Sequence, residues 1–128
     1  MPCDAPSQRQ LDSVRLLVCG GREYNDLARA WKAIDAVHAK RGIEIIIHGD
    51  YRGADILAKN WAISRGLPHL PFPADWRRLG LRAGPVRNQR MLDEGTPDGV
   101  LALPGGNGTL DMIARAERAG LRVWRPYG

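Results

Sequence analysis

Five short apolar runs alternate with segments of helical periodicity along this chain, and most of the runs stop at glycine. That alternation restricts the fold more than any other feature. Val14–Cys19 is aliphatic and closes at Gly20-Gly21, so it reads as a buried strand. Asn25 or Asp26 then caps a helix running to Arg41, with Leu27, Ala30, Trp31, Ile34 and Val37 at helical spacing and Gly42 as its stop. Ile43–His48 is a second strand, followed by Gly49-Asp50 and a helix from Gly53 to Arg65 that carries Ile56, Leu57, Trp61 and Ile63 and stops at Gly66. Residues 68–72 form a third strand. Residues 73–85 show little periodicity and read as a long functional loop with one turn of helix at most. A helix starts at Gly84-Pro85 and carries Met91 and Leu92. Gly99–Leu103 is the fourth strand, a helix starting at Gly108-Thr109 carries Leu110, Ile113 and Ala116, and Leu121–Trp124 is the fifth strand.

The order βαβαβαβαβ predicts an α/β fold: one Rossmann-like, three-layer domain with a mostly parallel sheet of about five strands and right-handed crossovers. A chain of 128 residues suits one such domain. It is expected to occupy residues 14–128, with residues 1–13 as a flexible leader. In this architecture ligands bind outside the carboxyl ends of the strands, where the Gly-rich ends of strands one, two and four fall.

The formal net charge is +5, carried mainly by arginine, which suits bidentate recognition of phosphate and carboxylate. The basic residues are spread over helices and loops rather than gathered in a run, which argues against a nucleic-acid tail. Cys3 and Cys19 read as reduced thiols. His38, His48 and His69 are scattered, so neither a metal site nor a cofactor is expected. No run is long enough to span a bilayer, and the N-terminus lacks the apolar stretch of a signal peptide. A cytoplasmic protein with no membrane partner is expected.

Four segments carry the chemistry. LPGGNGTLDM follows a strand and opens a helix, so the backbone N–H groups around Pro104, Gly105, Gly106 and Gly108 are placed to cradle a phosphate, with Thr109 adding a hydroxyl. The plainer alternative is a turn with a capped helix. Its spacing is neither the dinucleotide fingerprint nor the Walker A loop. CGGRE contributes Gly20, Gly21 and a phosphate clamp in Arg22, whose alternative is an ion pair with Glu23 or Asp26. HGDYRGAD contributes Gly49 and Gly53, and Asp50 and Asp55 as acceptors of ribose hydroxyls, with Asp50 otherwise a helix cap. His48 is read as a satisfied strand-end histidine. FPADWRRLGLRAGPVRNQRM places Arg87 and Asn88 on a first helical turn within reach of the site, and Trp76 as a base-stacking surface or a packing plug.

In this order, CGGRE, HGDYRGAD, FPADW, AGPVRNQRM and PGGNGTLDM resemble the YspA-type branch of the SLOG superfamily, related to the LOG, DprA and YpsA groups. The resemblance covers residues 14–124. It implies a Rossmann-like sheet and a pocket for a nucleotide-derived ligand, in a sensor or regulatory role. LOG enzymes are phosphoribohydrolases that release the base from a nucleoside 5′-monophosphate. Their motif is PGGxGTxxE, paired with an arginine on the preceding helix. Gly105, Gly106, Gly108, Thr109 and Arg87 match it, but the catalytic glutamate falls on Met112. The nearest carboxylate is Asp111, which one residue of helix rotates by ~100°. An enzymatic reading therefore rests on Arg87 with Asp111, or with Asp50 or Glu23 as the carboxylate. A third reading, nucleic-acid binding, draws on the charge and the DprA kinship. Trp31 and Trp61 are candidates for a homodimer surface and equally for the core.

Overall fold

The computed structural model describes residues 13–128; Cys3 and almost all of the expected leader lie outside them. Its elements are β1 (Val14–Cys19), α1 (Leu27–Arg41), β2 (Ile43–His48), α2 (Ala54–Ser64), β3 (His69–Pro71), α3 (Trp76–Leu79), a 3-10 turn (Gly80–Arg82), α4 (Ala83–Asp93), β4 (Gly99–Ala102), α5 (Asn107–Arg118) and β5 (Arg122–Trp124). The five strands form one parallel sheet in the order β3-β2-β1-β4-β5. The chain reverses direction across the sheet at the β1–β4 junction, where Leu17 lies against Val100 and Cys19 against Ala102.

Strand side chains alternate between two faces, and the core splits accordingly. Leu16, Val18, Ile46 and Leu101 pack against α1 and α2 through Ala30, Ile34, Ala58 and Trp61. Leu17, Ile47, Val100 and Ala102 pack against α4 and α5 through Met91, Met112 and Ile113. Helices on both faces give the expected three layers.

Trp61 is fully buried. Its Nε1–H donates to Asp35 at 2.8 Å, and Arg65 lies over its ring. It is a core residue, not a dimer surface. Trp31 is half-buried against the same cluster and donates to the Leu57 carbonyl. Ile63, expected on the apolar face of α2, is 56% exposed.

The segment 73–85 departs most from expectation. It is largely helical: Asp75 caps α3 by accepting from the Arg78 N–H at 3.1 Å, and the 3-10 turn leads into α4 without a break. Pro85 is the third residue of α4 rather than the first. The fit is still good, because every N–H of a first helical turn lacks an intrahelical acceptor. α5 likewise starts early, with Gly106 at the cap position and no side chain capping it.

Candidate functional site

Three loops at the carboxyl ends of β1, β2 and β4 are bonded into one floor. The Gly21 N–H donates to the Pro104 carbonyl at 2.9 Å, and the Gly21 carbonyl accepts from Ala54 at 3.1 Å. Glycine is required by close approach here. A Cβ on Gly20 would lie 2.6 Å from that of Ala54, and one on Gly105 would lie 2.6 Å from the Gly21 nitrogen and collide with the Thr109 hydroxyl. Gly53, at φ 83°, would collide with the Gly21 carbonyl. Gly106 and Gly108 differ: a Cβ on either meets nothing within 4 Å. Internal packing does not explain those two glycines.

Above this floor lies a cleft of about 700 Å³. Of the residues singled out from the sequence, Gly20, Gly21, Arg22 and Asp55 line one side, Trp76, Arg87 and Asn88 another, and Gly106, Gly108, Thr109 and Asp111 the third. Gly49, Asp50, Gly53, Pro104 and Gly105 stand behind this lining. A second groove, about 830 Å³, runs between α1 and the start of β4; it sits near the amino ends of the strands and has no Gly-rich loop.

Arg87 reaches the cleft from the first turns of α4. Its Nη1 donates to the Gly49 carbonyl at 2.7 Å and its Nε to Asn88 at 3.0 Å. A guanidinium has five N–H groups, so three are left over. Burial lowers its proton affinity while the charge of Asp55 supports it. Asn88 is buried and ties α4 to α5, donating to the Gly108 carbonyl at 3.2 Å and to Asp111 at 3.0 Å. Because α5 begins uncapped at Gly106, its first-turn N–H groups have no intrahelical acceptor and face the cleft.

Asp55 is only 9% exposed. Burial pushes its carboxyl up to about 6, against the opposing pull of Arg87 and of backbone hydrogen bonds from Tyr51 and Gly49. Cys19 lies buried beside them, its thiol raised to about 12 by burial and by the Asp55 charge. The burial of Asp55 is not visible in the sequence; its signal was the motif GAD and no more.

The other carboxylates are engaged. Burial would raise Asp111, but hydrogen bonds from Arg115 and Asn88 outweigh it and hold the group below its usual range. Asp50 does not cap α2, whose cap residue is Gly53 with no side-chain bond. It instead takes a left-handed turn at φ 54°, donates its N–H to His48, and sits 3.9 Å from Lys59. Glu23 pairs with Arg52 at 2.8 Å across the rim and Asp26 lies beside Arg29, so the ion pair that was the alternative reading of Arg22 does not form. Arg22 is exposed at the cleft mouth. Met112, at the position of the LOG glutamate, is buried in the α4–α5 core.

Two aromatic rings stand at the outer edge. Trp76 is 42% exposed, its ring lies 3.4 Å from where a Cβ on Gly84 would stand, and it is 5.9 Å from the ring of Tyr51. Tyr51 was missed from the sequence although it sits inside the HGDYRGAD motif. His48 is fully buried. Its Nδ1 accepts from Asp50, which leaves its Nε2–H to donate to His69 at 2.9 Å. It is a satisfied histidine, as the sequence reading held.

Among the described residues no helix is long and apolar enough to cross a membrane. No solved structure matches the chain. Gene 61 protein of Mycobacterium phage D29 is 35% identical over 117 residues, covering 85% of this chain and 93% of its own length. A family model described as "YspA, cpYpsA-related SLOG family" matches residues 14–79. With the parallel sheet and the Gly-rich cleft already in place, these matches make the chain a member of the YspA, cpYpsA-related SLOG family.

Proposed function

We propose that the cleft binds a nucleotide or nucleotide-derived ligand through its phosphate and acts as a sensor or regulatory domain. Membership of the family supports a nucleotide-related role in general. The observation that carries the finer reading is the pairing of an uncapped α5 N-terminus, open above Gly106 and Gly108, with the spare donors of Arg87 across the cleft. An anion there gains several N–H donors and the helix dipole together. Thr109 and Arg22 would add contacts, Asp55 would take a ribose hydroxyl, and Trp76 with Tyr51 would flank the base. Such a ligand spans the cleft from α5 to the aromatic edge.

The test is a thermal-shift panel of nucleoside mono-, di- and triphosphates, ADP-ribose, NAD and cyclic dinucleotides. A ligand at 100 times its Kd stabilises by about 2.7 kcal/mol, a shift of roughly 3–6 °C for a domain of this size. Replacing Arg87 and Gly106 together by alanine should abolish the shift; an unchanged shift would move the site elsewhere.

A second reading, cleavage of an N-glycosidic bond, is favoured by one observation. Asp55 faces the cleft and holds its proton up to about pH 6, the state in which a carboxyl can protonate a departing base. Free base released from a nucleoside 5′-monophosphate, and lost in Asp55→Asn, would establish it; no free base from any purine or pyrimidine nucleotide would sink it.

A further inference from the structure

The position of a Cβ on Gly49 lies 2.8 Å from the Asp55 carboxylate oxygen and 2.8 Å from the guanidinium carbon of Arg87. The two charges therefore share the space that Gly49 leaves open, under the cleft and out of bulk water. We propose that Asp55 and Arg87 form a proton-coupled anion site: an anionic group that engages Arg87 draws a proton onto Asp55, so ligand and proton bind together. This rests on the phosphate reading given above and adds its regulation by pH.

The reasoning is electrostatic. Asp55 is kept ionised chiefly by the positive field of Arg87 and by N–H groups of Tyr51 and Gly49, against the cost of burial. A phosphate or sulfate on the spare Arg87 donors cancels that field and adds a negative charge nearby. Both changes favour the neutral carboxyl. The other groups facing Asp55 cannot take its part. Cys19 on β1 stays protonated, its thiol raised to about 12. Asp50, in the loop after β2, adds only negative charge. Tyr51 in that loop contributes its N–H group. Arg22 and Arg52 stand at the mouth, Arg52 already paired with Glu23. On α5, Asp111 is held by Arg115 and Asn88. Linkage is reciprocal: the anion raises proton affinity at Asp55, and the proton raises anion affinity at Arg87 by the same factor. For each unit by which the anion raises Asp55, affinity should increase about tenfold between pH 8 and pH 5.

Sulfate is the first probe, because its charge does not change in this range. In the wild-type protein the carbon-13 shift of the Asp55 carboxyl should titrate near pH 6 without sulfate and at clearly higher pH with saturating sulfate. Calorimetry with adenosine 5′-monophosphate at pH 7, in two buffers of different ionisation enthalpy, should show net proton uptake. The ligand itself can only lose a proton on entering a cationic site, so uptake belongs to the protein. In Asp55→Asn the uptake should vanish and sulfate affinity should no longer follow pH. An Asp55 titration that stays put or moves down with sulfate bound overturns the coupling while leaving the phosphate site intact. Failure of sulfate and adenosine 5′-monophosphate to bind at any pH overturns the phosphate reading and the coupling with it.

Discussion

At Gly49 one missing methyl group decides whether Arg87 and Asp55 share their space. A Cβ there would overlap the guanidinium and press on the carboxylate, so Gly49→Ala should displace Arg87. We expect a loss of about 1–3 kcal/mol in urea unfolding, and a fall in phosphate affinity at concentrations where the variant remains folded. The sequence marked Gly49, Asp55 and Arg87 as site residues, through glycine at a strand end and polar groups on first turns. It did not mark their mutual placement. Asp50 and Asp55 are equivalent in the motif, and only the fold turns Asp55 inward under the cleft and Asp50 outward to Lys59.

The α4–α5 pair holds the Gly106–Gly108 end of the cleft in place. Asn88 bonds both the backbone of α5 and Asp111, and Arg115 closes the loop to Asp111 at 2.8 Å and to Gln89 at 3.0 Å. Asp111→Asn removes a charge from this network and should cost about 1–2 kcal/mol by urea unfolding. If Asp111 only positions α5, ligand affinity should fall in step with stability. α3 is the converse case. Leu81, in the turn after it, is 93% exposed, so Leu81→Ser should change stability by no more than about 0.5 kcal/mol. The long helices were legible because fifteen residues of α1 repeat an apolar face several times. The four residues of α3 complete barely one turn, too few to show a period. Its readable mark was a cap, Asp75, ahead of a charged run.

Across the whole molecule two buried titrations oppose each other. Asp55 has its folded value raised from 3.8 to about 6, so the stability of its neutral form is full below 3.8 and is lost as pH rises through 6. His48 is lowered from 6.5 to about 4 by burial and by His69, so its contribution is full above 6.5 and is lost as pH falls through 4. Each amounts to about 3 kcal/mol. Stability measured by urea unfolding should therefore be nearly level between pH 4 and pH 6.5. Asp55→Asn should lose stability on acidification through that window, and His48→Gln should gain it. The βαβ alternation made the parallel sheet and its layers legible, since buried strands show as continuous apolar runs. Strand order was not legible, because no local pattern says that β4 returns to the far side of β1. That return has a consequence for how the protein comes into being. Gly21 is joined to Pro104, so one wall of the cleft leaves the ribosome before α4 and the opposite wall only after β4. A nascent chain that stops after α3 holds β1, β2 and β3 but leaves Leu17 and Ile47 uncovered and has no α5. A chain cut after α3 would thus lack the α5 wall, and with it the first-turn N–H groups that the proposed site needs.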